Sequence, residues 1–253
     1  MSLLLVLPAV GVILFLGRGL HGALRLAWLI AQVQLAIAFP FLQTSARAYF
    51  GRAFELTRTF KYEWTVNMRM LPEDIFLSSN LSLWLLVAHV LDLFAFLSER
   101  WLAPAKKHLV EMMPALARLK SPFTAREEVL TSLRVSPRYV LATMLTANNM
   151  GLLFARSLHY QFYAYLAWST PFLLWHAGCH PLLIYGAWGL QEWAWNVFPS
   201  TKASSLVVVL VLAFTDRALW VGKPQRIVEA EEDEAFGAGV ESSLRNESEK
   251  KEE

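Results

Sequence analysis

Two short stretches of the chain combine cationic, aromatic and hydrogen-bonding side chains in a way that suits phosphate binding. In the first, from Arg47 to Arg69, bases alternate with aromatic rings, as in a segment that lies at a membrane interface with its bases towards phosphates. The second, from Phe154 to Tyr163, brings together an arginine, a histidine, two tyrosines and a glutamine. Arginine binds phosphate oxygens through paired hydrogen bonds, and histidine can carry a charge. A plain interfacial anchor is the alternative for both stretches.

Other ionisable side chains lie inside apolar stretches, where their cost makes each of them a functional hypothesis. His89 and Asp92 stand three residues apart, so they share one helical face. We interpret them as a hydrogen-bonded pair that faces another helix, with a buried proton relay as the alternative. The segment 176–180 has a metal-binding spacing of two histidines and a cysteine, but its glycine and the following proline favour a turn. We therefore expect no metal site.

The composition indicates that membrane helices position these residues. Of the 253 residues 55% are hydrophobic and 17% are charged, whereas soluble domains have about 25% charged residues. The formal net charge of +2 argues against a nucleic-acid-binding protein, and the single cysteine excludes an internal disulfide. The sequence predicts an all-α fold, a bundle of transmembrane helices.

A bilayer core about 30 Å thick requires about 20 apolar residues per helix, and about seven segments approach this length. We predict spans at 2–16, 23–42, 75–97, 139–153, 160–177, 181–198 and 204–221. Residues 1–221 then form a membrane domain with an outer loop at 44–74. Residues 222–253 form a charged cytosolic tail that is polar enough to be disordered.

The charges of the two long loops predict the orientation. The loop 98–137 contains seven lysines and arginines and the loop 44–74 contains five, which favours a cytosolic 98–137. Counting spans from there places the carboxyl terminus in the cytosol. Lys250 and Lys251 stand four and three places from that terminus, a spacing that resembles the dilysine retrieval signal of endoplasmic-reticulum membrane proteins. A solvated charged terminus is the alternative.

The strings Phe54–Arg58, Lys61–Asn67 and Phe154–Tyr163 resemble the asparagine-linked glycosylation protein 3 family. Members of this family are dolichyl-phosphate-mannose-dependent alpha-1,3-mannosyltransferases of the endoplasmic reticulum membrane. The resemblance extends from about Ala9 to Trp220 and implies part of a type C glycosyltransferase fold. It also implies a reaction without a cofactor. Mannose would pass from dolichyl phosphate mannose to a dolichyl-pyrophosphate-linked oligosaccharide during assembly of the N-glycan precursor, with membrane lipid as the surroundings and no nucleic acid as a partner.

The resemblance further implies which side chains bind the phosphate of the donor lipid, where cationic and hydrogen-bonding groups stabilise the leaving group. The candidates are Arg156, His159, Tyr160, Gln161, Arg58 and Lys61.

The catalytic base stays unassigned. In the family it is an acidic residue of the first luminal loop, yet no aspartate or glutamate precedes Thr44 in this chain. The sequence resembles a carboxy-terminal fragment of a family member, which leaves open whether it is active alone. Two other functions are kept as alternatives: a non-catalytic membrane protein that binds lipid phosphate, and a small transporter with His89, Asp92 and Glu192 along its path.

Overall fold

The computed structural model describes residues 5–53 and 60–222 of the chain, and within these ranges the fold is all-α, with no strand. This confirms the predicted fold class. The helices are α1 (Leu7–Ala53), α2 (Glu73–Leu77), α3 (Ser79–Phe96), α4 (Leu109–Leu116), α5 (Ala125–Leu133), α6 (Pro137–Leu153), α7 (Tyr163–His176), α8 (Pro181–Trp195) and α9 (Lys202–Val221).

Three described helical segments are long and apolar enough to cross a membrane: α1, α9 and the stretch Ser79–Ala105, which continues α3. The helices α6, α7 and α8 have 17, 14 and 15 residues. Like α9, each of them runs across the helix bundle from one end to the other. The predicted number of seven spans stays a prediction.

Helix α1 covers the first two predicted spans and the start of the predicted outer loop. Its backbone leaves helical geometry at two positions, Gly19 (φ 65°) and Ser45 (φ −165°, ψ 96°). The first break coincides with the predicted connection between the spans and uses a left-handed conformation that glycine adopts without strain. After the second break the helix resumes because the Ser45 hydroxyl accepts a hydrogen bond from the backbone N–H of Ala48 (3.2 Å), as an N-cap does.

The helices run between two polar ends of the molecule. At the first end, which we call the loop end, the segments 60–72, 154–162 and 196–201 meet, and the backbone N–H of Val66 donates to the Leu158 carbonyl (2.9 Å). At the opposite end, Tyr139 donates to the Trp101 carbonyl (2.6 Å) and Arg100 donates to the Gly222 carbonyl (3.2 Å). Residues 60–69 of the first stretch and the second stretch, 154–163, therefore share one end, away from the loop 98–137.

The core lies where α6, α7, α8 and α9 pack together. Small and apolar side chains, including Ala147, Leu173, Leu174 and Val211, fill it. In the most apolar window of α9, 44% of the residues are buried, against 6% in the corresponding windows of α1 and α3. The outward faces of α1 and α3 are rich in large apolar side chains, which suits helices that contact lipid.

The opposite end is stabilised by a charged pair at the start of α5. Lys107 donates to the Glu127 carboxylate (2.9 Å), and Glu127 also completes a capping box with Thr124. These hydrogen bonds hold the pKa of Glu127 below its usual value. Because the pKa is lowered, the contribution of Glu127 to stability is present at neutral pH and is lost as the pH falls through the lowered pKa.

We predict that Gly151→Ala destabilises the protein. A Cβ atom at Gly151 would lie 2.7 Å from Cδ1 and 2.8 Å from Cβ of Leu5, so the segment that leads into α1 would have to move away from α6. Overpacking of this kind costs about 1–3 kcal/mol. Thermal unfolding in detergent micelles would show a lower midpoint, and Leu5→Gly in the same chain, which removes both of these atoms, would restore part of it. Gly186→Ala is the matched control because, outside its own turn of α8, no atom of residues 5–53 or 60–222 lies within 4 Å of that Cβ position. Equal midpoints for both alanine variants would contradict the packing.

Candidate functional site

A single buried amide joins the two stretches at the loop end. Asn67 is 0% exposed, and its Nδ2 donates to the Ala155 carbonyl (2.7 Å). Its Oδ1 accepts from the backbone N–H of Leu158 (2.8 Å) and from the hydroxyl of Thr65 (3.1 Å). The two clusters therefore form one unit although about ninety residues separate them in the chain. Asn67 was not among the predicted site residues; its place at the end of the Lys61–Asn67 string was the available signal.

The connection between α8 and α9 fastens this unit to the helical bundle. Ser200 donates from its hydroxyl to the Thr65 carbonyl (2.8 Å), and the backbone N–H of Arg69 donates to the Ser205 hydroxyl (2.8 Å). Tyr160 donates to the Val197 carbonyl (2.8 Å). The tyrosine that the sequence proposed as a phosphate ligand thus donates its hydroxyl hydrogen within the protein.

Arg156 connects the second stretch with the region before α3. One guanidinium nitrogen donates to the Phe76 carbonyl (3.0 Å), and the guanidinium carbon lies 5.7 Å from the ring centres of both Phe60 and Phe76. Its Nε is buried and has no hydrogen-bond partner among the described residues. The charge is therefore held between two rings, where cation–π attraction is favourable.

Lys61 and His159 flank the indole of Trp64. The Lys61 ammonium lies 5.5 Å from the ring centre, and the His159 ring meets the indole edge-on with its centre 6.1 Å away. Trp64 is 56% exposed, as expected of a tryptophan at the headgroup level of a bilayer. Gln161 is exposed nearby in the chain, and Arg58 lies outside the described residues.

An open cleft of about 500 Å³ lies beside the cluster of Lys61, Trp64 and His159. Its walls carry two aromatic rings, two cations, two carboxylates and one leucine. The lining residues are Phe60, Lys61, Tyr62, Glu63, Arg69, Glu73 and Leu77. Tyr62 is fixed in its wall because its hydroxyl donates to the Leu71 carbonyl (2.6 Å) and the Arg69 guanidinium stacks on its ring (4.4 Å). Across residues 5–53 and 60–222, the one ion pair within 4 Å is that of Lys107 and Glu127, at the opposite end. The four charges of the cleft thus do not pair with one another.

The cleft and the cluster beside it offer two kinds of contact to a ligand. The cations can bind phosphate oxygens, and the carboxylates can accept hydrogen bonds from hydroxyl groups. In the part of the chain that the structure describes, no three His, Cys, Asp or Glu side chains come together as a metal site would require.

The ionisable residues elsewhere make mainly structural contacts. His89 stacks on Phe154 with ring centres 5.8 Å apart. Its Nε2 and the Oδ2 of Asp92 are buried and have no hydrogen-bond partner in the described part of the chain, so these atoms do not form the pair that we expected. His176 accepts from Arg138 (3.3 Å), and His180 accepts from the first turn of α8. The segment 176–180 turns at a glycine with φ 79°, as predicted.

Glu192, the third residue of the transporter alternative, lies at the loop end of α8. It accepts hydrogen bonds from the hydroxyl of Tyr163 and from the side chain of Asn196. These contacts connect α7 to the end of α8, so Glu192 has a structural role.

Replacing Asn67 by alanine is expected to separate the two stretches. Asn67→Ala removes the partners of the Ala155 carbonyl and the Leu158 N–H, and leaving such buried groups unpaired costs about 2–4 kcal/mol in total. The midpoint of thermal unfolding in detergent micelles should fall, and proteolysis within residues 60–72 should become faster. Asn80→Ala, at an exposed position of α3, is the control. Unchanged protease resistance of Asn67→Ala would argue against the Asn67 bridge, by which we mean its hydrogen bonds to Ala155 and Leu158.

The sequence of the chain matches a known protein family and several curated proteins. The family model described as ALG3 protein matches residues 1–205. A relative from Neurospora crassa is 54% identical over 224 residues, which cover 88% of this chain and 51% of that protein. A human relative is 35% identical over 225 residues (88% and 49%), and one from Arabidopsis thaliana is 32% identical over 222 residues (87% and 51%).

All three relatives bear the name Dol-P-Man:Man(5)GlcNAc(2)-PP-Dol alpha-1,3-mannosyltransferase. No solved structure matches the chain. The chain spans about half the length of these curated relatives. The match of the family model over most of the chain, together with these identities, shows that the chain belongs to the ALG3 protein family.

Proposed function

We propose that the chain acts as an alpha-1,3-mannosyltransferase, which transfers mannose from dolichyl phosphate mannose to the lipid-linked oligosaccharide Man(5)GlcNAc(2)-PP-Dol. The names of the relatives support this substrate pair. The structural observation that carries the proposal is the Asn67 bridge, because it holds the stretch with Lys61 and the stretch with Arg156 and His159 at one end of a membrane helix bundle.

The chemistry of the transfer assigns a role to these side chains. The bond between the mannosyl carbon and the phosphate oxygen breaks, a bond to the acceptor hydroxyl oxygen forms, and the acceptor loses its hydroxyl proton. Negative charge grows on the departing dolichyl phosphate. Lys61, Arg156 and His159 supply positive charge and hydrogen-bond donors for that phosphate, which lowers the barrier to its departure. The base that takes the acceptor proton is left unassigned.

The remaining candidates contribute in different ways. Tyr160 holds the second stretch against the segment before α9, since its hydroxyl is bonded to the Val197 carbonyl. Gln161 has an exposed amide that can donate to a phosphate oxygen. Arg58, which lies outside the described residues, is proposed as a phosphate ligand on the family resemblance alone. The exposed indole of Trp64 suits the depth of lipid headgroups, which supports a site at that depth.

Loss of a phosphate-binding side chain should weaken both binding and transfer. In nanodiscs, the purified chain is expected to bind dolichyl phosphate more tightly than uncharged dolichol, and Lys61→Gln and His159→Ala should each reduce that preference about tenfold. In membranes of a strain that lacks its own enzyme of this family, Arg156→Ala or His159→Ala should lower mannose transfer by roughly 10²-fold.

Controls for this experiment lie at the opposite end of the molecule. Arg118→Ala and His108→Ala remove the same kinds of side chain there, and neither should change binding. Where the chain alone supports no transfer, a chimera in which it replaces the matched half of the Neurospora crassa relative provides the transfer assay. Equal affinity for dolichyl phosphate and dolichol would overturn the proposal.

We further propose that the protein resides in the endoplasmic reticulum membrane with its carboxyl terminus in the cytosol. The apolar helices support a membrane location, and the family resemblance implies the endoplasmic reticulum. Lys250 and Lys251, which lie outside the described residues, would act as the retrieval signal.

Replacing both lysines by serine should let the protein leave the endoplasmic reticulum, as judged by processing of a luminal glycosylation reporter. Two alanines added after Glu253 keep every charge but shift the lysines from their places, and they should have the same effect. Full retention of both variants would show that the lysines are not the signal.

A further inference from the structure

We propose that the cleft beside the phosphate-binding cluster is the subsite for the mannosyl group, with Glu63 and Glu73 accepting hydrogen bonds from its hydroxyls while Lys61 and Arg69 face the attached phosphate. This inference rests on the proposed function, since it assigns a place for the sugar of the same lipid. It adds residues that neither the family resemblance nor the names of the relatives identify.

The two carboxylates are placed differently in the walls of the cleft. Glu63 is held by its neighbour, because Nε1 of Trp64 donates to its Oε1 (2.9 Å). Glu73 lies in the first turn of α2 and is exposed, and within residues 5–53 and 60–222 its carboxylate has neither a hydrogen bond nor an ion pair. Oxygens of both carboxylates are therefore available to a ligand.

The cations form a second, fixed element of the cleft. Arg69 lies on the ring of Tyr62 and donates to the Tyr62 carbonyl (2.9 Å), while its backbone N–H is bonded to Ser205 of α9. Its guanidinium is thus fixed relative to the helix bundle before any ligand binds. Lys61 is exposed and lies over Trp64, where its flexible stem lets the ammonium follow a phosphate.

The mixture of charges indicates a glycosyl phosphate and not a free phosphate. Two carboxylates beside the cations would repel a lone anion, but they become useful when the ligand also presents hydroxyl groups. The rings of Phe60 and Tyr62 offer apolar surfaces for the C–H faces of a sugar. A neutral sugar that carries one negatively charged phosphodiester satisfies all of these groups together.

The same charges favour release of the product. A phosphodiester carries one negative charge, whereas a phosphomonoester carries about −1.5 to −2 at pH 7. Transfer of the mannose converts the donor into dolichyl phosphate and removes the hydroxyls that the carboxylates bound. Those hydrogen bonds are not replaced, and because the four charges of the cleft sum to zero, the added charge of the product gains no net attraction there. We therefore expect the cleft to bind dolichyl phosphate mannose more tightly than dolichyl phosphate.

Binding of three lipids to the purified 253-residue chain in nanodiscs tests this assignment. The probes are dolichyl phosphate mannose, dolichyl phosphate and dolichol. The unmodified chain should prefer the mannosyl lipid over dolichyl phosphate by about tenfold or more, the effect of one or two charge-assisted hydrogen bonds. The double variant Glu63→Gln with Glu73→Gln should lose that preference, and its affinity for dolichyl phosphate should stay the same or rise.

Asp74→Asn is the matched control, because Asp74 is adjacent to Glu73 and exposed but does not line the cleft. It removes the same charge and should leave the preference for the mannosyl lipid unchanged. An unchanged preference in the double variant, or no preference in the unmodified chain, would overturn the sugar subsite while dolichyl phosphate still bound more tightly than dolichol. Equal binding of all three lipids would instead overturn the proposed function, and the subsite with it.

Discussion

The geometry of the loop end depends on the hydrogen bonds of one buried amide. A primary amide that is removed from water must find partners for both its donor and its acceptor. Asn67 finds them on the backbone of a segment that follows α6, at Ala155 and Leu158. Each cluster belongs to an irregular segment of the chain. Asn67 joins the two segments, and Ser200 connects them to the helices.

The helix bundle supplies the support for that extension. Ser200 and Ser205, one before α9 and one in its first turn, bind the backbone of the loop that contains Asn67. In the core, glycine and alanine let the helices approach closely; Gly151 in α6 leaves the space that Leu5 fills. Close packing of this kind has little tolerance for added volume, so the positions of the helices determine where the segments at the loop end lie.

The sequence was sufficient for the parts of the fold that depend on hydrophobic length. The span predicted at 204–221 corresponds to α9, at Lys202–Val221, and the one predicted at 181–198 begins at the same residue as α8. The outer loop predicted from residue 44 stays a prediction; the structure breaks the helix at Ser45, where a hydroxyl cap restarts it, a local effect that hydropathy does not register. The union of the two clusters could not be predicted either, because it depends on hydrogen bonds between distant segments. The hydrogen bond from the Tyr160 hydroxyl to the Val197 carbonyl, near α9, also joins distant segments and could not be predicted from the sequence.

The balance of charge around the cleft has a consequence for its membrane surroundings. Lys61 and Arg69 contribute two positive charges and Glu63 and Glu73 two negative ones, so their sum is zero. A balanced set produces a field that decays much faster with distance than that of a basic patch, and salt weakens it further. Anionic phospholipids in the same leaflet are therefore attracted to the cleft only weakly, and they compete little with a ligand that the cleft binds through both its cations and its carboxylates.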